Sequence, residues 1–129
     1  YDKSAQHPAV KIIQDEYFIP ATKFWFFIPE YNGSFPGVLK TLIDVMSTRE
    51  IGRTFKNKKA SLTGVALGRA GNLRGMDHLA GVLNHIGVII HPNKKPISSI
   101  SRLFNAHHEL ADEQIIKELR NQSDELIAF

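Results

Sequence analysis

The segment that most constrains the fold is a short run, Lys-Phe-Trp-Phe-Phe-Ile at residues 23–28, that is apolar after its first residue. A strand with one solvent-exposed face alternates apolar and polar residues, and this run does not alternate. It therefore predicts a strand that is buried on both faces, as in the centre of a parallel sheet. Such a strand needs neighbouring strands and covering helices.

The rest of the chain alternates helical and strand-like patterns. We predict helices at 8–18, 36–47 and 75–86, strands at 60–67 and 88–90, a charged connection at 49–58, and a last helix capped by Asp112. Pro8 and Pro36 suit first helical turns, where the missing N–H costs nothing. Strands that alternate with helices are typical of an α/β domain with a parallel sheet.

Length and composition narrow the class of protein. The 129 residues are enough for one domain with a core but not for two, so we expect a single domain over residues 1–129. Hydrophobic residues make up 43% and charged residues 22%, which is ordinary for globular proteins. No apolar run reaches the roughly 20 residues that cross a bilayer, so we expect no membrane partner. Cysteine is absent, which excludes thiolate chemistry and fits a cytoplasmic location.

The net charge is +3, but the basic residues alternate with 13 acidic ones. This modest excess argues against a nucleic-acid partner. Arg53, Lys56, Lys58 and Lys59 form a basic cluster, which we interpret as a solvated loop. Contact with an anionic cofactor such as NADPH is the alternative for this cluster.

Two loops follow predicted strands and lead into helices, at residues 29–35 and 68–75. In open parallel sheets, ligands bind outside the carboxyl ends of the strands. The two loops should therefore lie side by side if their strands are neighbours. Each would bring backbone N–H groups and a helix start toward a ligand, which favours anions or electron-rich carbonyl edges.

The first loop extends into a long, specific motif. Ile28-Pro29-Glu30-Tyr31-Asn32-Gly33-Ser34-Phe35-Pro36-Gly37-Val38-Leu39-Lys40, followed by Leu42-Ile43-Asp44, resembles the signature of the NADPH-dependent FMN reductase family, which includes flavin, quinone, chromate and azo-dye reductases. The glycine loop at 68–75 stands where that family has a second flavin loop. Val45 departs from the pattern, since the family usually has Trp there, as do Arg69 and Asn72, where many members have glycine or serine.

The resemblance implies a flavodoxin-like fold, a three-layer α/β/α domain with five parallel strands. By that template the predicted strands are the third to fifth, and the chain lacks the first strand, the first helix and the second strand. The missing part would include the loop that grips the FMN phosphate. Strand 23–28 would then pair with the missing first strand. The absent initiating Met agrees with the expectation that something precedes Tyr1.

The resemblance also implies the cofactor and the residues that contact it. FMN would carry the chemistry, NAD(P)H would deliver hydride to it, and no catalytic side chain or metal is required. The expected cofactor-binding residues are Pro29, Glu30, Tyr31, Asn32 and Gly33 at the isoalloxazine edge, and Gly68, Arg69, Ala70, Gly71 and Asn72 at the pyrimidine end. Asn-Gly is also common in ordinary turns, and Arg69 in a solvated loop is the alternative for that residue.

The function implied is electron transfer from NAD(P)H through FMN to a small acceptor, such as a quinone, flavin, chromate or azo dye. The resemblance further implies a homodimer or homotetramer, with helix 36–47 and loop 29–35 near the subunit contact. Two other functions stay open: a non-enzymatic FMN electron carrier and a flavin-free α/β interaction domain. The basic charge speaks against the carrier, because flavodoxins are usually acidic.

Overall fold

The computed structural model describes residues 6–129, which form a parallel sheet with helices on both faces. The strands are β1 (Lys23–Pro29), β2 (Lys59–Val65), β3 (Ile89–Ile90) and β4 (Lys95–Ile97). The helices are α1 (Pro8–Ile13, continued by a π-helical turn at Gln14–Phe18), α2 (Gly37–Ser47), α3 (Ile51–Thr54), α4 (Leu73–His85) and α5 (Glu113–Ala128). The predicted fold class and the predicted order of the main elements are confirmed.

Two layers of helices cover the sheet. Leu62 of β2 joins the core cluster with Ile43 of α2 and Leu79 of α4, which are all buried. Thr63, the next residue of β2, instead hydrogen-bonds Gln122 of α5 at 2.7 Å. Because successive side chains of a strand point to opposite faces, α5 lies on the face opposite α2 and α4.

The central strand of the described chain is β2 rather than β1. Within residues 6–129, β1 pairs with β2 alone, from Lys23 opposite Lys59 to Pro29 opposite Val65. Phe27 of β1 is 51% exposed. The burial of strand 23–28 on both faces was predicted for a sheet in which a further strand pairs with it, and it stays a prediction, since the described chain shows β1 only partly buried.

The strand on the other side of β2 is interrupted. β3 pairs with the start of β2, and β4, which the sequence patterns did not predict, pairs with its end. The buried side chain of Gln122 fills the gap: its Nε2 donates to the carbonyl oxygens of Leu62 at 3.0 Å and Asn93 at 3.1 Å. A side-chain amide thus satisfies a backbone acceptor that would otherwise be buried without a partner.

Several boundaries differ from the prediction for identifiable reasons. β2 ends at Val65 rather than at residue 67. α4 starts at Leu73 because Asn72 caps it. The connection at 49–58 contains the short helix α3, after which Phe55 is fully buried. Among the helices at residues 6–129, none combines the length and apolar character needed to cross a membrane.

The basic cluster at residues 53–59 does not form the single solvated loop that was predicted. Arg53 and Lys56 are exposed, whereas Lys58 is only 9% exposed. The Lys58 ammonium donates to the carbonyl oxygens of Phe18 and Ile19, the latter at 2.9 Å. Burial lowers the pKa of Lys58 below its ordinary value, because desolvation disfavours the charged form. This lysine closes the end of the first helical segment.

Candidate functional site

Strands β1 and β2 end side by side at the same edge of the sheet. Pro29 stands opposite Val65, and the N–H of Glu30 donates to the Val65 carbonyl at 2.8 Å. The loops at 30–36 and 66–72 therefore leave the sheet from adjacent strands at one edge. The prediction that the two loops lie side by side is confirmed.

The first loop forms a tight turn at Tyr31–Ser34. The N–H of Tyr31 donates to the Ser34 carbonyl and the N–H of Ser34 to the Tyr31 carbonyl, both at 3.0 Å. Asn32 and Gly33 have φ angles of 50° and 76°. Positive φ at both central positions is the type I′ geometry, for which Asn-Gly is the preferred sequence. Among the described residues, the N–H groups of Asn32 and Gly33 have no backbone acceptor.

The predicted residues of the first loop are accessible. Pro29, Glu30, Tyr31 and Asn32 are exposed, and Gly33 is partly exposed. The Tyr31 ring is prominent, since 61% of this residue's surface is open to solvent. The structure thus places all five together at the sheet edge, where a planar ligand has access to them.

The second loop divides into an exposed part and a buried part. Gly68, Arg69 and Ala70 are exposed, whereas Gly71 and Asn72 are buried. A Cβ added to Gly68 would meet no atom within 4 Å, so open space lies above that glycine. The predicted residues of this loop are therefore not equivalent, and only the first three offer an accessible surface.

The Asn72 side chain connects the two loops rather than facing outward. Asn72 is 1% exposed and adopts a left-handed conformation with φ 60°. Its Nδ2 donates to the Ile28 carbonyl at 3.0 Å, and its Oδ1 accepts from the N–H of Gly75 at 3.2 Å. Since both polar atoms are bonded inside the protein, the Asn72 side chain is a positioning group. The predicted flavin contact of this residue was made for the loop backbone and stays a prediction.

Glycines surround Asn72 because the backbone approaches too closely for side chains. A Cβ on Gly64 would overlap the Gly71 carbonyl oxygen. One on Gly71, whose φ is 54°, would lie 2.6 Å from Cβ of Pro96. One on Gly75 would overlap the amide of Asn72. The glycines of this segment therefore serve close packing of the loop, with Gly68 as the open exception.

Two further residues, Arg74 and His78, meet the first loop and were not predicted as site residues. The guanidinium Cζ of Arg74 lies 3.8 Å from the position that a Cβ of Gly33 would take. His78 Nδ1 lies 3.0 Å from the Ser34 hydroxyl oxygen. Positions 74 and 78 share one face of α4, since residues four apart in a helix are neighbours. The sequence shows that spacing, but it does not show that this face of α4 contacts the turn at residues 31–34.

A third loop supports the second. The Ser99 N–H donates to the Gly68 carbonyl at 3.1 Å, and the Ser98 hydroxyl donates to the Arg69 carbonyl at 2.6 Å. The N–H of Ala66, which directly follows β2, also donates at 3.0 Å to the carbonyl of Ile97, the last residue of β4. Because β4 has no clear strand pattern, the sequence carried no signal for these contacts.

One pair of side chains at this edge has the composition of part of a serine–histidine catalytic arrangement. The Ser34 hydroxyl and His78 imidazole form one pair. A serine nucleophile, however, needs its histidine to be oriented by a third group. Within residues 6–129, His78 has no carboxylate within 4.0 Å. The exposed groups at the edge include backbone amides, the Tyr31 ring, the Glu30 carboxylate and basic side chains.

Comparisons with known proteins agree with this arrangement. The family model described as NADPH-dependent FMN reductase matches residues 20–101, which include both loops. An NAD(P)H-dependent FMN reductase of Pseudomonas aeruginosa is 35% identical over 118 residues, covering 89% of this chain. The chain spans 62% of the length of that curated relative.

A solved structure shows the same fold. FerB, a flavoenzyme NAD(P)H:(acceptor) oxidoreductase from Paracoccus denitrificans, superposes with a TM-score of 0.81 at 25% identity. The match covers 97% of this chain and 69% of FerB. The flavodoxin-like arrangement of sheet and helices therefore extends over nearly the whole chain.

Proposed function

The chain belongs to the NADPH-dependent FMN reductase family, and from that premise we propose that the protein is an FMN-dependent NAD(P)H oxidoreductase. The observation that carries the proposal is the pair of adjacent loops at the carboxyl edge of β1 and β2. Both loops lie inside the segment that matches the family. The carboxyl edge of a parallel sheet is also where flavodoxin-like folds bind flavin.

The residues present at this edge fit a flavin. The type I′ turn leaves two backbone N–H groups, on Asn32 and Gly33, without backbone acceptors among the described residues. Such donors suit the carbonyl and nitrogen positions along the edge of an isoalloxazine ring. The open space above Gly68 provides room for a flat ligand beside the second loop.

The proposed contacts follow from these exposures. We assign the accessible members of the two loops to the flavin, namely Pro29, Glu30, Tyr31, Asn32, Gly33, Gly68, Arg69 and Ala70. Gly71 and Asn72 shape the second loop from inside. Bound FMN would supply the hydride and electron chemistry, and the protein would bind, orient and shield it.

The proposed reaction needs two small molecules besides FMN: NAD(P)H as donor and a quinone, flavin, chromate or azo compound as acceptor. The shape of the site supports this, because the turn and the Gly68 loop are open to solvent rather than enclosed. We also propose a homodimer or homotetramer with α2 near the contact, supported by Val38, which is 77% exposed at the start of that helix. Light scattering of the purified protein would measure the oligomer mass.

The absorbance spectrum of the full-length protein tests the function. The protein is mixed with FMN, desalted, and then treated with NADPH in the absence of oxygen. Retained yellow colour that bleaches with NADPH is the expected result. Retained colour without bleaching would identify an electron carrier instead. Failure to retain any flavin would contradict the proposal and favour an interaction domain.

A further inference from the structure

Arg74 is a cation at the proposed site with no acidic partner in the described chain. It is exposed, and its guanidinium lies beside Gly33 of the turn. Within residues 6–129, no carboxylate lies within 4.0 Å of it, which is also true of Arg69, Arg102 and Arg120. What distinguishes Arg74 from those arginines is the position of its guanidinium, with Cζ 3.8 Å from where a Cβ of Gly33 would stand.

The position of Arg74 is electrostatically unfavourable for the protein alone. It lies in the first turn of α4, where the helix dipole disfavours a positive charge, and that turn contains no acidic residue. Of the N–H groups nearby, that of Leu73 donates to Ala70 and that of Gly75 to Asn72, whereas that of Arg74 has no backbone acceptor among the described residues. The full positive charge at this corner is the guanidinium of Arg74, and its own backbone N–H adds a dipole of the same sign.

The surroundings hold Arg74 close to the proposed flavin loop. One helical turn further, His78 bonds the Ser34 hydroxyl at 3.0 Å and so ties the type I′ turn to the same face of α4. Gly33 has no side chain that would cover the guanidinium. A guanidinium presents several N–H donors in a planar fork, which matches phosphate, sulfonate and carboxylate groups.

We infer that Arg74 is a specificity-determining residue that binds a negatively charged group on a substrate of this site. The inference rests on the proposed function. The anionic group has two sources: the additional phosphate that distinguishes NADPH from NADH, or an acidic substituent on the electron acceptor. Both present the same chemistry to a guanidinium, so the experiment separates them.

The test compares Arg74→Gln with the unchanged full-length, FMN-loaded protein. Calorimetry measures the Kd of NADP⁺ and of NAD⁺, and steady-state assays measure KM for a neutral naphthoquinone and for its sulfonated derivative. Loss of one charge-assisted contact weakens binding about tenfold. A tenfold rise confined to NADP⁺ assigns the dinucleotide phosphate. A rise confined to the sulfonated quinone assigns the acceptor.

Two variants make the result specific. Arg74→Lys retains the charge without the planar fork and should recover part of the lost affinity. Arg120→Gln removes the same charge from α5, on the opposite face of the sheet. It should leave unchanged the Kd of NADP⁺ relative to NAD⁺ and the KM of the sulfonated quinone relative to the neutral one. The inference is overturned if Arg74→Gln affects charged and neutral ligands alike, if it affects neither, or if Arg120→Gln has the same effect.

Failure of the inference and failure of the proposed function remain distinguishable. Unchanged protein that retains no FMN, or retains FMN that NADPH does not bleach, contradicts the reductase proposal before any variant is made. Unchanged protein that passes that test, combined with an Arg74→Gln variant that shows no charge discrimination, contradicts only the role of Arg74.

Discussion

The side-chain amide of Asn72 donates a hydrogen bond to the backbone carbonyl of Ile28 at 3.0 Å, across 44 residues of sequence. The same side chain caps α4 through the N–H of Gly75. One buried residue thus holds the end of β1 and the start of α4 in a single arrangement, and that contact positions the two adjacent loops.

We expect Asn72→Ala to destabilise the protein by about 2–4 kcal/mol, because it removes a helix cap and a buried hydrogen bond together. Asn72→Asp retains an acceptor for the Gly75 N–H but puts a carboxylate against the Ile28 carbonyl. Urea unfolding measures both variants. Stability of Asn72→Ala equal to that of the unchanged protein would contradict the bridging role.

Two glycines of α4 should respond to alanine in opposite directions. At Gly75 a Cβ would overlap the Asn72 amide, so Gly75→Ala should cost roughly 1–3 kcal/mol. At Gly81 a Cβ would meet nothing within 4 Å, so Gly81→Ala should stabilise by about 0.5–1 kcal/mol through helix propensity. Thermal unfolding of the pair is the measurement, and equal shifts in Tm would contradict the packing argument.

Substitution of two polar residues of β2, Thr63 and Ser61, should change the stability of the protein in opposite directions. Thr63 accepts from Trp25 Nε1 at 2.8 Å and donates to Gln122 at 2.7 Å. The Ser61 hydroxyl is buried and has no partner among the described residues. Thr63→Val should therefore cost about 2 kcal/mol, whereas Ser61→Ala should stabilise by about 1 kcal/mol. Urea unfolding would show it, and a loss of stability in Ser61→Ala would point to a partner for its hydroxyl.

Gly68→Val should separate flavin binding from folding. Because a side chain there meets no protein atom within 4 Å, we expect Tm to change by no more than about 2 °C. The same side chain would occupy the proposed flavin space, so the Kd for FMN should rise at least about tenfold, as measured by quenching of flavin fluorescence. Gly52→Val, an open glycine in α3, is the matched control and should leave the Kd unchanged.

The ionised carboxylate of Glu118 should contribute measurably to stability at neutral pH, and this contribution should be lost in acid. Hydrogen bonds, first from Lys95 at 2.9 Å and then from Gln114, lower its pKa below the ordinary value. A folded-state pKa below the unfolded one adds stability above the unfolded pKa and loses it as pH falls through the folded pKa. Glu118→Gln should therefore cost about 0.5 kcal/mol at about pH 7 and almost nothing below about pH 3.

Urea unfolding at both pH values tests this contribution of Glu118. A cycle with Lys95→Met isolates the pair, because the two side chains are about a quarter exposed and the ion pair is partly screened. If the cost of Glu118→Gln were the same at both pH values, the ionised carboxylate would not be its source.

Much of the fold was predictable because the signals are local. The apolar period located α2 and α4, Asp112 marked the start of α5, and its Oδ1 indeed accepts from the Ile115 N–H at 2.9 Å. Asn32-Gly33 predicted a turn from two residues alone. The accessible members of both loops also lie together, since the carboxyl ends of paired parallel strands share one edge.

Other features depended on long-range contacts. β4 is a three-residue strand that contains Pro96, and its pairing with β2 depends on the gap that Gln122 fills. The four-residue spacing of Arg74 and His78 places them on one face of a helix. Only the packing of α4 shows that this face contacts the turn at residues 31–34.

By itself the sequence determined the order and type of the main elements, a turn at Asn32-Gly33 and the family, because these depend on residues near one another in the chain. Only the tertiary structure decided that β2 holds the centre of the described sheet, that Asn72 faces inward and that Arg74 lies beside Gly33. Those outcomes join residues some 40 positions apart. Their partners are chosen by the packing of helices on the sheet, which no local pattern specifies.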